Sequence, residues 1–549
     1  MLKQPKASEP SNAAMVVNRA VLEGNASAVR TLFSDLLGRR GPSTTPRRAA
    51  VEVELKLDVA AEHLNGLKRH PLLNKRSSRK EEVVSIYLDT KDRVFRRHGL
   101  SFRLRRKGGE LLQAIKGPYR GILNRSERET LVIRNGSDSR RAVDAFLGDL
   151  DQNLPTALKP IFTTKVNREI YQIGGIELCL DKGEIIAGRR SSPIAEIELE
   201  LASGDRRKLF ALARQIAAII PAEISVRSKS DRGYDFVDGI KARAVVAQVP
   251  VLPRFPTIAE AFQIICGECL HQLISNLAGV RARTPEAVHQ ARVALRRLDA
   301  AVRIFSDIQS EKAVKVADEL KWIGDELAGA RELDVFMTDF LGPFRSKQPK
   351  DLHLAKTCRA CDQLREKSYE RANAALSSQR FRRFLIDVAE WIETGSEEKA
   401  RLRAKGEPSA KDTISRTLSK IWRKMRAARR IDELDLRRLH KLRLRAKRMR
   451  YTIEFTRGLY EVSPKRVEGM LKQLGKLQTA LGKLNDMASA RAIVKRIAVE
   501  AKPSAKSGQL KIASGLTTIA GDQERQTSKQ LRKAAKAFEK LENLKPFWT

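Results

Sequence analysis

Charged side chains alternate with apolar ones in short segments of the first half of the chain. Glu52, Glu54 and Lys56 alternate with valine and leucine, and Glu196 and Glu198 alternate in the same way with isoleucine and leucine. Successive side chains of a β-strand point to opposite faces of a sheet, so each charged set shares one face. Carboxylate oxygens are the ligands that Mg²⁺ prefers. The pattern predicts strands whose polar face can hold a divalent cation.

Basic side chains follow the same alternation in another segment, where Arg103 and Arg105 share one face. A solvated sheet face with cross-strand ion pairs is the ordinary interpretation of any single strand of this kind. Against it, the glutamates at 196, 198 and 200 would repel one another unless a cation neutralised them. Guanidinium and ammonium groups match phosphate oxygens. Separate acidic and basic clusters therefore favour a site for a metal-bound triphosphate.

A second basic pattern occurs twice, 151 residues apart. Each copy has a histidine, a basic residue three positions later and a basic pair seven and eight positions later, and a further lysine follows in the same register. The two sets are His289, Arg292, Arg296, Arg297 and Lys321, and His440, Arg443, Lys447, Arg448 and Lys472. A solvated flank is the ordinary interpretation of one such helix. Recurrence of the set favours a duplicated helical unit with a basic channel for a polyanion.

The composition favours an anionic partner. The chain has 106 Lys and Arg against 66 Asp and Glu, a net charge of +40, which attracts polyanions. Nucleic acid is a partner that such a charge allows, but aromatic residues make up only 5% and no base-reading motif is present, so phosphate is indicated more than bases. The absence of a long apolar run and of an export signal predicts a cytoplasmic protein without a membrane segment.

Two cysteine pairs have the C-x-x-C spacing, Cys266 with Cys269 and Cys358 with Cys361. This spacing can indicate a zinc site or redox chemistry. Both pairs lie in segments with helical periodicity and without neighbouring Cys or His sets. We therefore interpret them as small buried helix residues.

The periodicity divides the chain into an α+β multidomain protein. Residues 1–48 form an extension, residues 49–245 have mainly period-2 alternation, residues 246–256 form a proline-rich linker, and residues 257–549 have period 3.6. The last region is predicted to be an all-α bundle with halves at about 257–400 and 408–545.

The first region resembles the CYTH family, also called triphosphate tunnel metalloenzymes. The resemblance begins with Glu52-x-Glu54-x-Lys56 and continues in order through residues 87–90, 99–106, 115–117, 125–127, 180–183, 196–201 and 228–230. It implies a closed antiparallel β-barrel with flanking helices and a polar tunnel. The implied metal ligands, for Mg²⁺ or Mn²⁺, are Glu52, Glu54, Asp181, Glu196 and Glu198. The implied catalytic and triphosphate-gripping residues are Glu52, Glu54, Lys56, Arg103, Arg105, Lys116, Glu127, Arg168 and Lys229, with Glu129 and Glu200 as weaker candidates.

The second region resembles CHAD domains, which bind inorganic polyphosphate, over about residues 257–541. The resemblance assigns polyphosphate binding to the ten residues of the two basic sets, and less securely to Arg331 and Lys476.

Together the resemblances predict hydrolysis of inorganic tripolyphosphate, coupled to polyphosphate binding. Two alternatives stay open: a non-catalytic adaptor that binds polyphosphate or RNA, and an enzyme that acts on nucleotides or thiamine triphosphate. Association with polyphosphate granules is also open.

Overall fold

The structure is a computed structural model that describes residues 50–107, 110–131, 158–305, 310–400, 409–428, 430–500 and 526–548. The predicted extension, residues 1–48, lies outside the described residues. The chain divides into two compact units between Lys241 and Ala242. None of the helices in the described ranges is both long and apolar enough to cross a membrane.

The boundary between the units lies four residues before the predicted one. The backbone N–H of Val245 donates to the side-chain oxygen of Asn276 at 2.9 Å. Arg297 donates to the backbone carbonyl of Gln248 at 2.8 Å. These two contacts attach the first part of the segment between the units to the helices of the second unit.

The first unit is an antiparallel, curled sheet with helices on it. Its strands run in the order β5-β4-β3-β2-β6-β7-β8-β1-β9. The strands are β1 (Ala50–Asp58), β2 (Arg79–Asp89), β3 (Ser101–Lys107), β4 (Glu110–Arg120), β5 (Asn124–Leu131), β6 (Lys159–Ile173), β7 (Ile176–Ala187), β8 (Arg190–Leu201) and β9 (Glu223–Ser225). The helices are α1 (Ala61–Arg69), α2 (Val94–Arg97), α3 (Arg207–Ile219) and α4 (Lys229–Val237).

Strand β1 connects the two ends of this order. Its C-terminal half pairs with β8 and β9, and its N-terminal half pairs with β5 through the register Ala50↔Glu127 to Val53↔Asn124. The curl therefore gives the sheet an enclosed face and an outer face.

The apolar residues of the alternating segments lie on the outer face. Leu55 is opposite Leu199 and Leu57 is opposite Ile197, and all four are fully buried. Helices α1 and α3 pack on β8 and cover these side chains. Because strands alternate, the charged residues between them must point to the enclosed face.

Helix α4 packs against β6. It begins after Ser228, whose side chain accepts from the backbone N–H of Asp231 while the Asp231 carboxylate accepts from the backbone N–H of Ser228, a capping box that fixes the first turn. Gly233 lies against the ring of Phe162, which stacks on Tyr87 with centroids 4.5 Å apart. A glycine is required here because any β-carbon would overlap the ring.

The second unit is helical. Its helices are α5 (Ile258–Arg281), α6 (Pro285–Ile304), α7 (Ser310–Glu326), α8 (Ala328–Val335), α9 (Gly342–Lys347), α10 (Leu352–Leu376), α11 (Gln379–Ala400), α12 (Ala410–Arg426), α13 (Leu436–Thr456) and α14 (Pro464–Glu500). A π-helical segment, Phe336–Leu341, joins α8 to α9, single 3₁₀ turns lie at Ile431–Glu433 and Arg457–Leu459, and residues 526–542 are also helical.

The helices that carry the two basic sets are neighbours. Helix α6 carries the first four residues of the first set and α13 the first four of the second, and these two helices pack together. Lys321 lies in α7 and Lys472 in α14. Helix α5 begins with a capping box at Thr257, where the sequence predicts the start of the helical region. Cys266, Cys269 and Cys361 are buried within helices and Cys358 is half-buried in α10, in agreement with their interpretation as helix residues.

We predict that Gly233→Ala destabilises the first unit by about 1–3 kcal/mol, because the added methyl group overlaps the buried Phe162 ring. Gly66→Ala is the matched control, since Gly66 also lies in a helix but its β-carbon would come no closer than 4.0 Å to Ile220. That variant should gain about 0.5–1 kcal/mol from helix propensity. Urea unfolding of both variants measures the difference, and equal stabilities would contradict the packing of α4.

Candidate functional site

Three carboxylates converge on the enclosed face of the sheet. Asp181 on β7 is directly opposite Glu196 on β8, and Glu198 lies two residues further along β8 on the same face. One oxygen of each carboxylate lies within 4.8 Å of the others, and Asp181 and Glu196 are fully buried. Hard oxygen donors at this spacing fit Mg²⁺ or Mn²⁺. We call Asp181, Glu196 and Glu198 the acidic triad.

Among the described residues, four cations surround the acidic triad. Lys229 donates to Asp181 at 2.6 Å, to Glu198 at 3.0 Å and to Glu196. Arg168 holds both oxygens of Asp181, at 2.8 and 2.6 Å, and also contacts Glu198. The other two cations are Lys56, which contacts Glu198, and Arg232, which contacts Glu196.

These contacts keep the buried carboxylates ionised. Burial would raise the pKa of Glu198, but Lys229, Lys56 and Arg168 outweigh burial and hold that pKa well below its usual value. Burial likewise opposes ionisation of Asp181, and Lys229 and Arg168 lower its pKa. In return, burial would lower the pKa of Arg168, whereas Glu198 and Asp181 raise it well above its usual value. Asp181 and Glu198 are thus held in the anionic form by the cations paired with them.

A basic cluster, formed by Arg103 and Arg105 near Tyr87, lies beside the triad. Arg103 is opposite Tyr87 across the β2/β3 pair and is buried. Burial raises the pKa of the Tyr87 hydroxyl, but the charges of Arg103, Arg105 and Lys229 and a hydrogen bond with Arg103 bring it below its usual value. Lys229 is therefore within electrostatic range of both the acidic triad and this cluster.

Of the other predicted residues of the first unit, some have described side chains and the rest do not. Glu54 is buried and pairs with Lys56 at 2.6 Å instead of joining the triad. Burial and the charge of Glu54 raise the pKa of Glu200. Lys116, on β4, acts in the opposite direction but does not outweigh them. The side chains of Glu52, Glu127 and Glu129 lie outside the described ones.

Sequence reasoning missed two residues of this site, Arg232 and Tyr87. Arg232 follows Lys229 by three positions, so both project from the first turn of α4 toward Glu196. The spacing of three predicts that Arg232 lies on the same helix face as Lys229. Only the packing of α4 on the sheet shows that this face is directed at Glu196. Tyr87 was part of a matched motif without an assigned role.

A second candidate site is a cavity of about 180 Å³ in the helical unit. It contains five of the ten predicted basic residues and is closed by groups from α8, the π-helical segment and α14. The lining comprises His289, Arg292, Arg296, Arg331, Glu332, Val335, Phe336, Phe340, Arg443, Lys447, Asn485, Asp486, Ser489 and Ala490. Both copies of the basic pattern therefore contribute to one cavity.

Crowding of like charges perturbs the groups in this cavity. Burial and the charges of Arg296 and Arg443 lower the pKa of Lys447 to about 6. Burial and the charge of Arg296 lower the pKa of Arg292 to about 10. Burial and the charge of Arg331 lower the pKa of His289. The carboxylates Glu332 and Asp486 offset only part of this charge, and burial raises the pKa of both. An anion in the cavity would relieve the repulsion.

The remaining predicted basic residues lie apart from the cavity lining. Lys321 and Lys472 are exposed. Arg297 is buried and engages Glu454 and the ring of Phe455. Arg448 lies near Arg303 and Arg445, and exposed His440 contacts the lining residue Asn485 at 3.1 Å.

Sequence reasoning missed part of the lining. The acidic and aromatic groups Glu332, Phe336, Phe340 and Asp486 carry no basic pattern that would have indicated them. Asp334, two residues after the lining residue Glu332 on α8, is not part of the lining and is buried against Arg365 and Tyr369.

Comparison with known protein families agrees with both units. The model of the CYTH domain matches residues 50–234, and the model of the CHAD domain matches residues 264–495. The chain thus has a CYTH-CHAD architecture.

Among relatives of this CYTH-CHAD chain, an inorganic triphosphatase of Haemophilus influenzae is 28% identical over 193 residues, which cover 33% of this chain and 54% of the relative. The match thus spans about half the length of that protein. An uncharacterized protein of Mycobacterium tuberculosis is 25% identical over 451 residues, 76% of this chain and 84% of the relative. The crystal structure of the CHAD domain from the plant Ricinus communis has 24% identity and a TM-score of 0.44, covering 53% of this chain and 96% of that one.

We predict that Lys447→Met stabilises the CHAD domain by about 1–3 kcal/mol at pH 6 without added anions, because the substitution removes a cation that folding buries among others. The folded pKa of Lys447 lies below its unfolded value, so the cost of burying lysine is largest below about pH 6 and falls as the pH rises toward 10.5. The stability gain should shrink over that range. Thermal unfolding between pH 6 and 9 measures it, with exposed Lys472→Met as the control.

Proposed function

We propose that the CYTH domain hydrolyses inorganic tripolyphosphate with the help of Mg²⁺ or Mn²⁺, and that the CHAD domain binds inorganic polyphosphate. The observation that carries the first part is the acidic triad beside the basic cluster on one enclosed sheet face. The relationship to an inorganic triphosphatase supports the choice of substrate.

A closed tunnel is part of this proposal. The pairing of β1 with β5 supports it, because the same strand also pairs with β8 at the other end of the strand order. In such a tunnel the charged side chains of the enclosed face surround an extended triphosphate on several sides. Exclusion of bulk water would strengthen each contact to phosphate oxygen.

The side chains of the chain divide the work of hydrolysis. Asp181, Glu196 and Glu198 would hold the divalent cation, which neutralises phosphate charge and activates water when bound. Arg103 and Arg105 would grip phosphate oxygens and hold the terminal phosphorus in line with the attacking water. Lys229, between the two clusters, would stabilise charge on the transferring group.

The CHAD cavity supports the second part of the proposal. A volume of about 180 Å³ lined by several cations suits a short stretch of a phosphate chain. Guanidinium groups of Arg292 and Arg443 would bind its oxygens from the two packed helices. A cytoplasmic location and association with polyphosphate granules are further predictions of this proposal.

We predict that Glu196→Gln lowers divalent-cation-dependent phosphate release from tripolyphosphate by about a hundredfold or more, because it removes a charged member of the triad while preserving its shape. Glu82→Gln is the control, since Glu82 is exposed on β2 of the same sheet. Phosphate release is measured with tripolyphosphate, ATP and thiamine triphosphate, with and without Mg²⁺ or Mn²⁺. Unchanged turnover by the Glu196 variant, or preference for either organic triphosphate, would contradict the proposal.

We predict that Arg292→Ala combined with Arg443→Ala weakens binding of long-chain polyphosphate at least about tenfold and flattens its salt dependence. Each phosphate that the wild-type chain neutralises should contribute roughly 0.7 to the slope of log affinity against log salt, by analogy with single-stranded nucleic acid. Arg383→Ala combined with Arg438→Ala is the control pair, because both arginines are exposed.

Fluorescence titration with labelled polyphosphate, in the presence of chelator, measures both quantities. Single-stranded RNA of matched charge serves as the competitor. Equal competition by that RNA, or equal affinities of the two double variants, would contradict a polyphosphate site in the cavity.

A further inference from the structure

We propose that Lys229 is the built-in competitor for the divalent-cation site, so that it sets the metal affinity of the CYTH domain and is released from the triad when a divalent cation binds. This inference rests on the proposed metal role of the acidic triad. It assigns Lys229 a function beyond contact with substrate, namely control of when the triad accepts a cation.

The contacts of Lys229 coincide with those that a divalent cation would make. Its ammonium reaches Asp181 at 2.6 Å and Glu198 at 3.0 Å, and it also contacts Glu196. These are the same three carboxylates whose oxygens lie within 4.8 Å of one another. Lys229 therefore lies where the three donor atoms converge, and an ammonium and a divalent cation would repel each other strongly at that distance.

The backbone of Lys229 is fixed while its side chain is long. The residue is the first of α4, directly after Ser228, whose capping box with Asp231 fixes that turn, and Gly233 packs the same helix against Phe162. Four rotatable bonds let the ammonium change partners without moving that helix. Release from the triad thus requires only a rotamer change.

The basic cluster lies within electrostatic range of the ammonium. The charge of Lys229 acts on the hydroxyl of Tyr87, together with the charges of Arg103 and Arg105. An ammonium released from the triad would add to that basic cluster. Two cations already there would repel it, and a triphosphate bound by them would attract it. Metal binding and triphosphate binding should therefore favour each other through Lys229.

The other cations of the triad are less suited to this role. Arg168 grips Asp181 with two donors of its rigid fork, which favours retention of that pair. Lys56 is also paired with Glu54 at 2.6 Å. Arg232 reaches Glu196 and also lies 3.8 Å from Asp58. These three can stay paired while Lys229 leaves.

Direct Mn²⁺ binding tests the inference without measuring hydrolysis. The electron paramagnetic resonance signal of free Mn²⁺ is titrated with the full chain as wild type, Lys229→Gln, Lys229→Arg and Asp181→Asn, in the absence of phosphate compounds. Lys68→Gln is the matched control, because Lys68 pairs with the Glu169 carboxylate elsewhere in the domain. Lys229→Gln should bind Mn²⁺ about tenfold or more tightly than wild type. Lys229→Arg and Lys68→Gln should remain near wild type.

The outcomes separate this inference from the proposed function. Equal or weaker Mn²⁺ binding by Lys229→Gln, with Asp181→Asn clearly weakened, would overturn the competitor role and leave the metal site intact. Mn²⁺ binding that Asp181→Asn does not change would overturn the metal site, and the competitor role with it.

The wild-type chain supplies a second readout that does not depend on folding of the glutamine variant. In chains labelled with ¹³C-lysine, Mg²⁺ should shift the Lys229 Cε resonance, assigned with Lys229→Arg, and leave that of Lys68 unchanged. An unshifted Lys229 resonance at saturating Mg²⁺ would overturn the inference.

Discussion

The requirement that buried charges be paired governs the first unit. Burying Asp181 and Glu196 completely is costly unless cations lie against them. The chain meets this requirement from three directions, with Arg168 on the neighbouring strand β6, Lys56 on β1 and the first turn of α4. The fixed position of α4, and with it the close approach of Gly233 to Phe162, is therefore tied to the same charges that make the site chemically useful.

The CHAD domain arranges its charges in the opposite way. In its cavity, cations such as Arg292, Arg296 and Lys447 lie close to one another, and the carboxylates present compensate only part of their charge. Burial, together with this repulsion, lowers the pKa of Lys447 to about 6, and in our proposal a bound anion would relieve the repulsion. The carboxylates of the CYTH site are already paired with cations, so in our proposal they must exchange partners to bind a ligand. An anion that entered the CHAD cavity would instead stabilise that domain directly.

Phosphate is the ligand chemistry that the two proposed sites share. Guanidinium and ammonium groups recur on the enclosed sheet face and in the helical cavity, and the net charge of +40 gives the chain a field that draws polyanions toward it. The acidic triad distinguishes the two sites. It favours chemistry in the CYTH domain, while the cavity, with its cations and two aromatic rings, favours retention of a ligand.

The sequence by itself determined which residues share a face. Period-2 alternation fixed the orientation of Glu196 and Glu198 relative to Ile197, and the repeated histidine pattern indicated two related helices, because both periodicities are local properties of the backbone. Tertiary structure alone decided which of these side chains meet. Arg232 reaches Glu196 only because α4 packs on β6, Glu54 turns to Lys56 instead of the triad, and Arg297 packs on Phe455 while Arg296 lines the cavity. Glu54 and Lys56 are neighbours on one strand, but Arg232 and Glu196, like Arg297 and Phe455, lie far apart in sequence, and the distances between them depend on how elements pack, which no local pattern encodes.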